Sequence, residues 1–312
     1  MATPRPTRRP DLEIHLGASG LVVGRLHLGS GRRSAFSYDE GWLRDARFFT
    51  LSPDLQPVAG VQHPRQVFFL ALEDTAPDAW GERVIRRAHA KLRQEDRDTP
   101  ALDPVDFVMW VDDEARVGAL RLFDPQSGAY LRAAGANRQV PPLVELEKVL
   151  HAARALEDGT ESAQDLRYLL GQGTSLGGAR PKSTVRDTDG RLAVGKFPSQ
   201  ADRRDVIRGE VLAMQLAAKA GIRVSPAFDL NPMPGDRRES KTWLTEDTGV
   251  IDSRDMLMAA ASYFRLDAAQ AQAIWNEVAQ AVAGWRALAR RLGMRGTDLL
   301  DFEPAFVEST TP

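Results

Sequence analysis

The chain of 312 residues carries 41 lysines and arginines against 43 aspartates and glutamates, a formal net charge of -2, and is 43% hydrophobic. That balance excludes a nucleic-acid-binding surface spread over the whole molecule while leaving room for a local basic patch, and the length suits two domains or lobes. Cysteine is absent, which excludes disulfides, thiolate zinc sites and a cysteine nucleophile and fits a cytoplasmic protein with no membrane span.

In chain order, residues 1–10 are expected as a disordered tail. Arg8 and Arg9 form a pair there, without the hydrophobic segment that follows a twin-arginine signal. Residues 12–16 and 21–26 alternate around a turn at 17–20 and predict a hairpin. A short strand is expected at 36–38, a helix opening at 77–83 with Val84, Ile85 and Ala88 on one face, an apolar segment at 106–111 and a strand at 116–123. The Gly- and Pro-rich stretch 124–142 reads as a linker. Helical periodicity then spans 143–156, and a second, short helix is expected at 165–170. Strands at 183–185 and 192–197 flank Asp187-Thr188-Asp189-Gly190, a hairpin turn signal. A helix over 204–220 ends at Gly221, and one long alanine-rich helix is expected over 270–292, with Ile274, Val278, Val282, Trp285, Ala289 and Leu292 in register. The five histidines, His15, His27, His63, His89 and His151, include no pair at helical metal-ligand spacing.

Residues 171–182, GQGTSLGGARPK, stand out. Glycines let successive backbone N–H groups converge on an anion and leave no Cβ to hold a phosphate away. Kinase-type nucleotide sites use such a loop, a lysine on the following strand, an acid on the next helix to hold that lysine, and further acids for magnesium. Lys196 and Glu210 follow in that order. The loop is neither a Walker A sequence nor a dinucleotide fingerprint, because Pro181 precedes Lys182 and Leu176 falls where a glycine is required. Taken singly, the loop reads equally as a plain helix-to-strand connection, whereas Lys196 reads first as a solvated strand lysine and Glu210 as an ordinary helix-surface acid.

Ser175-Leu176-Gly177-Gly178-Ala179-Arg180-Pro181-Lys182, then Gly195-Lys196-Phe197-Pro198, then Glu210 with Leu216-Ala217 and Gly221-Ile222, resemble the HipA family of serine/threonine kinase toxins. Phe36-Ser37-Tyr38, Leu51-Ser52-Pro53, Ala76-Pro77-Asp78 with Trp80-Gly81, and Asp113 with Arg116-Val117-Gly118 resemble the family's amino-terminal subdomain. Ser225-Pro226-Ala227-Phe228-Asp229-Leu230 resembles its late magnesium motif, and Trp275 through Trp285 its last helix. The resemblance implies an α+β, HipA-like kinase fold. Its parts would be a mixed α/β amino-terminal subdomain over 11–123, the linker 124–142, a kinase N-lobe-like nucleotide-binding region over 143–224 and a truncated helical carboxy-terminal lobe over 225–312. It also implies ATP bound by Gly177, Gly178, Ala179, Arg180, Pro181, Lys182 and Lys196, with Glu210 as the lysine's partner, Mg2+ on Asp229 and autophosphorylation at Ser175. The implied partners are a small helix-turn-helix antitoxin, HipB-like, through it operator DNA, and an aminoacyl-tRNA synthetase as substrate.

One departure outweighs these matches. Family members place an adenine hinge, several helices and a catalytic loop between the motifs that here end at Val224 and begin at Ser225, and no histidine follows His151. An aspartate base is part of the transfer geometry. Asp202 and Asp205 fall at the start of a helix, where aspartate caps. The expectation is an ATP-binding kinase relative impaired in phosphotransfer, with a non-catalytic pseudokinase or antitoxin-binding protein as the alternative.

Overall fold

Alternating apolar residues build an antiparallel sheet in the first part of the chain. The computed structural model describes residues 9, 11–29, 33–132, 140–170, 178–223, 230, 232, 243–245, 248–251 and 253–306. Strands β1 (Leu12–Leu16), β2 (Leu21–Leu28), β3 (Ser34–Tyr38), β4 (Val61–Gln62), β5 (Leu120–Asp124) and β6 (Ala129–Tyr130) form a six-stranded sheet in the order β4-β3-β2-β1-β5-β6. The expected hairpin is β1 and β2, with Leu12 opposite Leu26 and Leu16 opposite Leu21. A register shift between Ile14 and His15 breaks strict alternation along β2, and Val23, Leu26 and Leu28 are all buried. The Phe36 ring lies across Gly24 in this core. A Cβ there would stand 2.2 Å from Phe36 Cζ and 2.6 Å from the Ser37 carbonyl oxygen.

Helices α1 (Glu40–Arg44), α2 (Leu70–Glu73), α3 (Ala79–Glu95), α4 (Pro104–Met109), α5 (Leu146–Asp158) and α6 (Ala163–Leu169) accompany the sheet, followed by a second hairpin, β7 (Lys182–Arg186) and β8 (Leu192–Lys196). Trp80, Val84, Ile85 and Ala88 mark one face of α3, and Val149, Ala152, Ala153 and Leu156 one face of α5, both at helical spacing. These faces join Leu166, Leu169 and Phe197 in a core separate from that of the sheet. Phe197, directly after β8, thereby fixes one end of the second hairpin against α3, α5 and α6. Gly159, at φ 71°, closes α5 in the left-handed conformation.

Several expectations need adjustment. Arg9, inside the expected tail, donates to Asp103 at 2.6 Å and Asp106 at 2.9 Å. The apolar segment 106–111 begins inside helix α4 and runs past its end at Met109; Asp103 and Asp106 form a capping box with Pro104 at the first helical position. The strand expected from 116 starts only at Leu120. Arg116 is instead buried, with its guanidinium donating to the carbonyl oxygens of Thr75, Val108 and Val111 at 2.8, 3.0 and 2.9 Å. The expected linker 124–142 opens with a turn and β6.

The chain divides into two units, Met1–Gln200 and Ala201–Pro312. The second contains α7 (Val206–Lys219), α8 (Arg254–Ala259), α9 (Ala268–Ala283), α10 (Trp285–Arg291) and α11 (Thr297–Phe302). Asp205 caps α7, its carboxylate accepting the Arg208 N–H at 2.9 Å, as expected for an acid at a helix start. The single helix expected over 270–292 is broken at Gly284, and Ile274 is 47% exposed although Trp285 and Ala289 are buried. The break turns α10 so that Trp285 stacks on Phe306 at 4.7 Å, in a core shared with Leu212, Leu216 and Phe302. No described helix is long and apolar enough to cross a membrane.

The Gly24 contact makes a direct prediction. Gly24→Ala forces the Phe36 ring or the β3 backbone to move and destabilises the protein by about 1–3 kcal/mol, read as a lowered urea midpoint with unchanged slope.

Candidate functional site

The second hairpin forms around its turn as the sequence requires. The Asp187 carboxylate accepts the N–H groups of Asp189 and Arg191, both at 2.9 Å, and Gly190, at φ 78°, completes the reversal. This register sets Lys182 directly opposite Lys196 at the open end, and the Phe197 N–H donates to the Pro181 carbonyl at 2.9 Å. Residues directly opposite in a ladder share a face. Two lysines from the expected phosphate site are therefore side by side, Lys182 buried and Lys196 half-buried.

A buried ammonium needs an anion or several acceptors, because removal from water costs several kcal/mol. Asp78 supplies the anion. Its Oδ2 accepts from Lys182 Nζ at 3.0 Å, both side chains being 6% exposed. Its Oδ1 accepts the Gly81 N–H at 2.7 Å, which caps α3. The Trp80 N–H donates to the Gly178 carbonyl at 3.3 Å, so the start of α3 holds both ends of the turn 178–182. Gly178 sits at φ 85°, a conformation that L side chains rarely adopt, and a Cβ on it would lie 3.1 Å from Lys182 Nζ. Burial pushes the Asp78 carboxyl above the ordinary carboxylate range, opposed by the Gly81 N–H and by Lys182.

Gly178, Ala179 and Arg180 are exposed and Pro181 is buried. Ser175, Gly177 and Asp229 lie outside the described residues. Glu210 is buried in α7, within the second unit. Among the described residues, no group of three or more histidines, aspartates and glutamates is arranged to hold a metal ion. An open cavity of about 490 Å³ lies against α5 and α6, lined by Glu147, His151, Asp165 and Tyr168 among others, and none of the expected site residues borders it.

Nothing in the Ala76-Pro77-Asp78 stretch alone gives Asp78 a role. The signal available was its N-cap position, three residues before a glycine at the start of an amphipathic helix. Its partner is 104 residues away, and no local pattern encodes that separation.

The raised Asp78 value carries a sign. The folded protein keeps this proton to higher pH than the unfolded chain does, so the part of the stability that comes from holding the proton is fully present below the ordinary carboxylate value of about 4 and is lost as pH rises through that value to the raised one, the ion pair with Lys182 offsetting some of that loss. The stability of the wild type relative to Asp78→Asn therefore falls across that window, checked by urea denaturation of both proteins from acid to neutral pH.

No protein-family model matches the chain, and no curated protein matches it.

Proposed function

We propose that the chain is a HipA-like kinase-fold protein of a type II toxin-antitoxin system, cytoplasmic, that binds ATP with Mg2+ and is impaired in phosphotransfer. The observation that carries the reading is the facing pair Lys182 and Lys196, on one face of a hairpin entered through a glycine turn. Lysines at that position neutralise phosphate oxygens, and exposed Gly178 and Ala179 let a phosphate chain approach the backbone. ATP supplies the transferable phosphoryl group when bound. Lys196 would orient its phosphates, and Asp229 would hold the magnesium ion.

Transfer needs a base for the substrate hydroxyl. Val224 is followed directly by Ser225, so the aspartate loop that supplies that base in the resembled family has no counterpart. On this reading Ser175 stays unmodified, and phosphorylation of an aminoacyl-tRNA synthetase is lost or greatly slowed. The same deletion favours a second reading, a pseudokinase that retains an antitoxin-binding surface and acts by association with a helix-turn-helix partner and its operator DNA.

Calorimetric titration with Mg-ATP tests binding. Lys196→Ala is expected to weaken it about ten- to a hundredfold, the loss of one charge-assisted contact. Labelled ATP is expected to give no phosphotransfer above the Lys196→Ala background. Turnover that Lys196→Ala abolishes would overturn the impaired reading, and no heat at millimolar nucleotide would overturn ATP binding itself.

A further inference from the structure

Asp78 is a buried carboxylate to which nucleotide binding gives no role. Its two oxygens have separate duties. Oδ1 accepts the Gly81 N–H and keeps α3 capped, whereas Oδ2 takes the Lys182 ammonium. The ammonium lies against the Gly178 backbone, at the turn where a phosphate chain would approach. A cation this deeply buried takes an anion of one kind or another. A phosphate oxygen and the Asp78 carboxylate are chemically alike as acceptors.

We propose that Asp78 is an internal anion occupying Lys182 in place of a polyphosphate oxygen, so that the carboxylate and a bound polyphosphate compete for one ammonium. The proposal rests on the ATP-binding reading and adds a regulator to that site. Exchange breaks the Oδ2 contact alone, because Oδ1 continues to cap the helix whichever anion holds Lys182. Asp78 is thus a positioning residue that sets affinity through Lys182 and does not touch the ligand. In its absence Lys182 loses that carboxylate contact, and an arriving polyphosphate no longer has to displace it.

Inorganic tripolyphosphate with magnesium is the probe, titrated into the full chain by calorimetry, because it reports the phosphate subsite without adenine. Asp78→Asn and Asp78→Ser both keep a side chain that caps helices and remove the charge. Each is expected to bind tripolyphosphate about tenfold more tightly than the wild type, as removal of an internal competitor predicts. The gain disappears when Lys182→Gln is added, and tripolyphosphate raises the melting temperature of Asp78→Asn more than that of the wild type. Unchanged or weaker binding in both neutral variants overturns the competition, as does a gain that survives Lys182→Gln. Loss of cooperative melting in both variants also overturns it, since the ion pair is then indispensable to the fold. If neither the wild type nor either variant binds tripolyphosphate or ATP, the ATP-binding reading falls and the proposal with it. ATP binding that persists at equal affinity in all three proteins removes the competition alone.

Discussion

The ion pair between Asp78 and Lys182 is the constraint around which the first unit closes. It joins a residue at the start of α3 to the first residue of β7, 104 positions later, with both side chains 6% exposed. A buried charge without a partner is costly, and removing one member of such a pair costs about 3–5 kcal/mol. The hairpin therefore has one favourable position relative to α3. Phe197 fixes its other strand in the core of α3, α5 and α6, so the apolar contact and the ion pair determine the same placement. The turn 178–182 lies between them and takes the left-handed glycine that this closure requires.

Arg116 shows a different solution to the same problem. Its guanidinium is buried and hydrogen-bonded to carbonyl oxygens, donating to Thr75 just beyond α2, to Val108 in the last turn of α4 and to Val111 just past it, with Asp112 and Asp113 adding a favourable field. Helix carboxy-termini carry unpaired carbonyls and partial negative charge, which suits a cation. Burial lowers the Arg116 pKa to about 10, so the charge persists at neutral pH. Arg116 binds short helices that have little stability alone, whereas Asp78 ties the start of a long helix to a strand. A rigid fork satisfies three carbonyl oxygens at one junction, and a compact ammonium meets one carboxylate at the other.

The two hairpins and the faces of α3 and α5 were legible because local periodicity and turn chemistry encode them. Leu12, Ile14, Val84, Ile85 and the Asp187 turn all behave as their spacing implies. The sheet order was not legible, since β1 pairs with β5 across more than a hundred residues and β4 is two residues long. Gly284 broke a helix whose apolar register continued through it, an example of a backbone effect overriding periodicity. At the site, Lys182 and Lys196 were identified from residue type and order. The burial of Lys182 and its carboxylate partner depend on tertiary closure and left no trace in spacing.

Facing lysines also carry an energetic consequence. Like charges directly opposite each other destabilise an antiparallel pair, so a hairpin with Lys182 against Lys196 is electrostatically disfavoured on its own. Asp78 offsets part of that repulsion by drawing one ammonium toward the positive end of α3, where the same carboxylate also serves the helix N-terminus. The ion pair therefore relieves the hairpin and caps the helix with a single carboxylate.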